Sequence, residues 1–546
     1  MLKKESEQKK IAYFCMEYGL ESDFKIYSGG LGILAGDHLK ACRDLNIPLV
    51  AIGIKWKQGY VEQRLDEMGN VYDCYRDIDA SKLEDTGITV EVTIRENQVP
   101  IKVWKTEAFQ NAPLFLLDTD VSGSPYHGIT KQLYGGNDEE RVAQEIVLGS
   151  GGVKALKALE IEVETYHFNE GHAALAGLEL ISEKMKDGLS FHEAWEQTRK
   201  QIVFTTHTPV EAGNEIHPIS RLRYMSANIG LTIEQLAEIG GIPFNMTVAG
   251  LRLSRKANSV AELHLDTTKK MWRHVTGKAP LINITNGVHG QTWMDQRYLD
   301  ENLNSSQCWE IHQENKKILI ETIFERTGTK LKSDKLLIGF ARRMTPYKRS
   351  NLIFSQPENV DTLLQEGKIQ LVFSGKSHPM DSKGKAMLSS LHEMQKKYPE
   401  SVVLLQNYDM NLGAQLTRGC DVWLNNPQRP KEACGTSGMK AAMNGVLNLS
   451  ILDGWWPEAC RHGYNGWAIG DETVPQTEEK QNLKDAKALY EALLNEVVPT
   501  YYDDHSKWVE MMMKSIESVK EAFSASRMVQ EYWNKLYAPN KGRGLA

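Results

Sequence analysis

The sequence predicts an α/β protein built from two doubly wound domains, and three observations carry that reading. The chain has 546 residues, roughly twice the length beyond which single cores stop growing and chains divide. Short β-branched runs alternate with helical spacings along most of it, the pattern of parallel sheets covered by helices on both faces. A charged, helix-patterned stretch at about 294–334 separates two such series, and the boundary is expected there.

In chain order, 11–14, 47–54, 163–168 and 202–206 read as strands of the first domain. Helical spacing appears at 34–45 and 139–158. The runs 336–340, 370–373, 402–405, 421–424 and 447–451 read as strands of the second domain. Near the end, Trp508, Met512, Ile516 and Val519 form one helical stripe, which a core-closing helix explains. The domains are placed at 1–295 and 296–505, followed by a helical segment over 506–546.

Composition narrows the function. With 41% apolar and 25% charged residues, the chain has the make-up of an ordinary soluble enzyme. A net charge of −7 gives no long-range attraction to nucleic acid or an anionic membrane, so neither is an expected partner. The first ten residues are charged and lack the apolar core of a secretory signal. Apolar runs such as 47–54 fall far short of the roughly 20 residues of a spanning helix. The seven cysteines are scattered, odd in number and never paired as C-x-x-C, which suits reduced thiols better than a disulfide frame or a zinc site. A cytoplasmic location is expected.

Ligands of open parallel sheets collect beyond the carboxyl ends of the strands, which directs attention to the residues just after each strand. Tyr27 to Gly36 holds Gly30, Gly32 and Ala35 in a G-x-G-x-x-A pattern before a helix, a candidate nest of N–H groups for an anion or a purely structural turn. The run 341–349 places Arg342, Arg343, Lys348 and Arg349 after a strand. Four cations so close suit a phosphate dianion, or simply a solvated basic face. In 431–440, small residues from Gly435 to Gly438 precede a helix that carries Lys440 about one turn in. The helix start would accept a phosphate, and Lys440 could form a Schiff base with an aldehyde cofactor, although a first-turn lysine is ordinarily a surface residue. Strand 163–168 runs into Asn169, Glu170, Gly171 and His172, groups suited to sugar hydroxyls. The spacing of His167, Glu170 and His172 matches no zinc pattern, and no metal is expected. Asn258, His207 and the run Thr285-Asn286-Gly287 are further polar candidates, each alone more often a turn or cap than a ligand.

Together these segments resemble the α-glucan (glycogen, starch and maltodextrin) phosphorylase family, in its short bacterial and archaeal form. The carrying blocks are Gly435 to Lys440, Asn444-Gly445, Leu452 to Trp456, Ser28 to His38, Asn169 to Leu175, Thr205 to Pro209, Thr285 to Trp293 and Arg342 to Arg349. The resemblance implies two Rossmann-like domains facing a cleft (GT-B type), with C-terminal helices returning to the first domain. It implies pyridoxal phosphate on Lys440, with Gly435, Thr436, Arg342 and Tyr408 about the cofactor. It places Arg343, Lys348, Gly30 and Leu31 at the substrate phosphate, and Glu432, Asn258 and His172 at the glucose. The catalytic set is then Lys440, Arg343, Lys348 and His172. The partners implied are an α-glucan or maltodextrin, inorganic phosphate and glucose 1-phosphate, with room for a homo-oligomer. The reaction implied is reversible, retaining phosphorolysis. Cys434 stands where many relatives carry serine. A sugar-nucleotide-dependent glycosyltransferase and a non-catalytic glucan-binding relative are the alternatives. Retaining transferases often carry an acid eight positions after the residue matching Glu432, and Lys440 stands there instead.

Overall fold

The computed structural model describes residues 10–538, which form two compact α/β units. One unit takes Met1–Tyr60, Tyr75–Thr285 and Met528–Ala546, the other Val61–Cys74 and Asn286–Arg527. Both are built on a mainly parallel sheet with helices, the class the alternating pattern predicts.

The sheet of the first unit has nine strands. Across it they run Leu281–Asn283, Lys256–Ser259, Ile202–Thr205, Val163–Asn169, Lys10–Phe14, Leu49–Ile54, Leu114–Asp118, Asn97–Thr106 and Glu84–Ile94. The first seven are mutually parallel, and the last two join as an antiparallel edge. The strand Lys10–Phe14 lies mid-sheet and is buried almost throughout, as expected of a strand covered on both faces. The return of the C-terminal helix to this unit is fixed by buried polar groups. Tyr537 OH pairs with His167 Nδ1 at 2.6 Å, and Tyr532 OH accepts from Asn258 Nδ2 at 3.0 Å.

In the second unit six strands run in the order Val402–Leu405, Ile369–Ser374, Leu336–Ala341, Val422–Asn425, Leu447–Ile451 and Gly466–Ile469, all parallel. The charged stretch before it forms the helix Ser305–Thr327, opened by a capping box of Asn304 and Gln307. Leu319, Leu337, Val372, Leu412 and Trp423 are buried together in one core cluster, each worth about 1.5–3 kcal/mol of burial. The hairpin Glu62–Leu65 and Val71–Cys74 belongs to this unit although it lies far upstream. Lys385 Nζ meets Asp73 Oδ2 at 2.6 Å, and Ser389 Oγ donates to Gly69 O at 2.7 Å. The stripe Trp508, Met512, Ile516 and Val519 is buried on the helix His505–Val519. No described helix is long and apolar enough to cross a membrane.

Candidate active site

In the second unit the polar groups gather where the strands end. Arg342 follows the strand Leu336–Ala341, and its Nη1 donates to Glu432 Oε2 at 3.3 Å. Lys348, from the turn Pro346–Lys348, forms an ion pair with the same oxygen. Burial alone would raise the Glu432 carboxyl pKa, but the charges of Lys348 and Arg342 bring it below its ordinary value. Behind it, Glu432 N donates to Asp453 Oδ2 and Gly454 N to Asp453 Oδ1, both at 2.9 Å. Burial, then the nearby Glu432 charge, pushes Asp453 up to about 7. Arg343 is exposed. Tyr408 is half-buried against the core, and its phenol, within electrostatic reach of Arg342, is pushed by burial up to about 12.

The chain then turns into the helix Ser437–Met443 through Gly435, whose φ of +85° favours glycine. Thr436 stands at the N-cap, and Lys440 is the fourth helical residue, 7% exposed. Its ammonium lies 3.3 Å from the centre of the Trp293 ring. Asn444 Nδ2 ties the two together by donating to Lys440 O at 2.8 Å and Trp293 O at 3.1 Å. Arg418 Nε adds a bond to Trp293 O at 3.0 Å. Around the strand ends, Arg342 Nε, Thr345 Oγ1, Asn407 Oδ1, Asn425 Oδ1 and Asn426 Oδ1 are buried with no partner among the described residues. Buried polar atoms are nearly always paired, so such a concentration marks a place suited to a polar ligand.

The first unit holds the remaining candidates. Gly30 is exposed and Leu31 half-buried at the start of the helix Gly30–Asp44. Ahead of them the Glu17 carboxylate accepts from Ser28 N at 2.6 Å and Gly29 N at 3.4 Å. His172 is buried in the turn Gly171–Ala173, and its Nε2 accepts from Met16 N at 3.1 Å. Burial, aided by the Arg141 charge, lowers its pKa to about 3, which holds the ring neutral. Asn258 is fully buried. Its amide donates to Ser259 O and Tyr532 OH, each at 3.0 Å, while its carbonyl accepts from Thr205 at 2.6 Å. The structure thus brings Arg342, Lys348, Glu432 and Gly435 together, and turns Asn258 toward the C-terminal helix.

Sequence reasoning gives no site role to Trp293 and Asp453, which lie within the resembling blocks, and passes over Glu17 and a cluster around Arg141. Arg141 binds both Glu215 oxygens, at 2.6 and 2.8 Å, and Glu145 Oε2 pairs with His217 Nε2 at 3.0 Å. Glu145, Glu215 and His217 bring ligand-type atoms within 4.8 Å of one another, but the guanidinium already answers the Glu215 charge. Glu17 and Asp453 each stand just past a strand, a positional signal that Arg141 lacks.

A profile of the carbohydrate phosphorylase family matches residues 295–461, the stretch that contains Arg342, Arg343, Lys348, Tyr408, Glu432, Gly435, Thr436 and Lys440. A maltodextrin phosphorylase of Thermococcus litoralis is 39% identical over 97% of this chain and 71% of its own. The chain belongs to the carbohydrate phosphorylase family. A glycogen phosphorylase of Aquifex aeolicus is 36% identical over 97% of this chain and 86% of its own. An uncharacterized protein of Methanocaldococcus jannaschii is 35% identical over 97% of this chain and 100% of its own. These similarities extend over both units, well beyond the profile match.

Proposed function

We propose that the chain is an α-glucan phosphorylase, releasing α-glucose 1-phosphate from non-reducing ends of α-1,4-glucans, reversibly and with retention. Family membership, with glycogen and maltodextrin phosphorylases at 36–39% identity, is the observation that carries this reading. The second unit would hold the cofactor.

The residues of the second unit fit pyridoxal phosphate. Lys440 is buried on a helix whose small-residue start suits a phosphate, and Arg342 Nε is a buried donor without a partner among the described residues. Gly435, Thr436, Arg342 and Tyr408 would surround the group, and Lys440 would hold its aldehyde carbon. When bound, pyridoxal phosphate supplies a phosphate that passes a proton to and from the substrate phosphate.

The remaining work falls to the chain. Arg343 and Lys348 would bind the substrate phosphate, and the N–H groups of Gly30 and Leu31 are the donors the first unit offers to an anion. Two like charges 4 Å apart repel by about 4 kcal/mol at a surface-like effective dielectric. The cations Arg342, Arg343 and Lys348 offset that repulsion. Glu432, kept ionised by its two cations, would accept from a glucose hydroxyl. In the reaction the bond from C1 to the glycosidic oxygen breaks and C1 bonds to a phosphate oxygen on the same face. The leaving oxygen takes the phosphate's proton, and no pair of protein carboxylates is needed. His172, neutral and occupied by Met16 N, would shape the pocket and not transfer protons.

The test is direct. Protein saturated with pyridoxal phosphate is mixed with maltodextrin, with and without inorganic phosphate. Phosphate-dependent release of glucose 1-phosphate is expected. Turnover that requires a sugar nucleotide, or glucan binding without turnover, would overturn the proposal.

A further inference from the structure

The helix Gly30–Asp44 begins without a side-chain cap of its own. The segment leading into it is held by Glu17, just past the strand Lys10–Phe14 and 2% exposed. Its Oε2 accepts from Ser28 N at 2.6 Å, Ser28 Oγ at 3.0 Å and Gly29 N at 3.4 Å. Its Oε1 accepts from Tyr134 OH at 2.8 Å and from Ser28 Oγ at 3.2 Å. A Cβ at position 32 would lie 2.6 Å from Oε2, so glycine there is what allows the first turn to rest on the carboxylate. Behind Tyr134, the Arg141 guanidinium lies 5.1 Å from the ring centre and is fixed in turn by Glu215.

This arrangement divides the N–H groups of the loop. The Glu17 carboxylate takes Ser28 and Gly29, while Gly30 and Leu31 fall in the first helical turn, whose N–H groups have no intrahelical acceptor. Glu17 Oε2 takes Ser28 N at 2.6 Å and Gly29 N at a longer 3.4 Å, so the direction of the next two N–H groups follows from where Glu17 sits. We propose that Glu17 is the positioning residue of the glycine loop: it holds Ser28 and Gly29 and thereby aims the Gly30 and Leu31 N–H groups at the substrate phosphate. The inference rests on the phosphorolysis reading for the identity of that anion. Glu17 itself touches no reacting atom.

The test uses the full chain saturated with pyridoxal phosphate, comparing the parent with Glu17→Gln and Tyr134→Phe. Glutamine keeps the shape but puts an NH2 group among donors, and phenylalanine removes one donor from Oε1 without entering the loop. Three readouts are taken: hydrogen exchange of residues 28–33, KM for inorganic phosphate and KM for maltodextrin. In Glu17→Gln, exchange at 28–33 should rise at least tenfold and the phosphate KM should rise at least tenfold, with the maltodextrin KM within twofold. Tyr134→Phe should move the same two quantities two- to fivefold, and it decides the matter should Glu17→Gln fail to fold. Exchange unchanged in either folded variant overturns the inference whether or not the protein is active. So does faster exchange with an unchanged phosphate KM, or an equal rise in both KM values. Variants that exchange as described, in a parent that shows no phosphorolysis, overturn the reading of function, and with it the phosphate as the loop's target.

Discussion

The Lys440 ammonium lies 3.3 Å from the centre of the Trp293 indole, at the end of the short helix Gly290–Trp293, where the Trp293 carbonyl accepts from Asn444, the C-cap of the lysine's helix, and from Arg418 of the helix Met410–Gly419. A desolvated cation over an aromatic face is worth about 2 kcal/mol, and Trp293 is 2% exposed. Trp293→Ala is expected to lower stability by about 3–5 kcal/mol. Trp293→Phe keeps an aromatic face and should lose much less. Denaturant unfolding of the two variants checks the order.

Lys348 and Arg342 share one oxygen of Glu432. Lys348→Met leaves a buried carboxylate with half its compensation, and removing one partner of a buried pair is worth about 3–5 kcal/mol. The same variant removes a proposed phosphate ligand, so kcat/KM for phosphate should fall about 100- to 1000-fold. A glucan-binding measurement should change far less.

The two carboxylates at this site respond to pH with opposite signs. Glu432 has a lowered folded pKa, so its contribution is present above its unfolded value of about 4.3 and lost as pH falls through the lower folded value. Asp453 is raised to about 7, so its contribution is complete below about 3.9 and lost as pH rises through about 7. Asp453→Asn should therefore flatten the decline of stability between those two points, and Glu432→Gln should flatten the acid limb instead. Urea unfolding at a series of pH values reads both slopes.

His172 is an acceptor held neutral at a pKa of about 3. His172→Ala should lower stability by about 1–3 kcal/mol through the unpaired Met16 N–H. The shape of the pH–rate profile should stay as it is in the parent. A lost limb would assign the ring a proton-transfer role.

Much of this was legible in the sequence because the information was local. The parallel strands are continuous β-branched runs, and Arg342, Lys348, Glu432 and Lys440 sit in short motifs beside strand ends. The edge hairpin was missed although Ile88, Val90, Val92 and Ile94 alternate. Its turn uses Arg95 and Glu96 at φ of +48° and +63°, residue types that do not announce such a turn. Long-range partners were out of reach. Tyr134 meets Glu17 across 117 positions, and Tyr532 meets Asn258 across 274. Nothing local says that the Asn258 side chain faces the C-terminal helix, and its place at the glucose is what the resemblance alone implies.

The most direct test of the account is borohydride reduction of protein incubated with excess pyridoxal phosphate, followed by peptide mass mapping. A pyridoxyl group on the peptide containing Lys440, and its loss in Lys440→Arg, is the predicted result. An unmodified Lys440 would contradict the account at its centre.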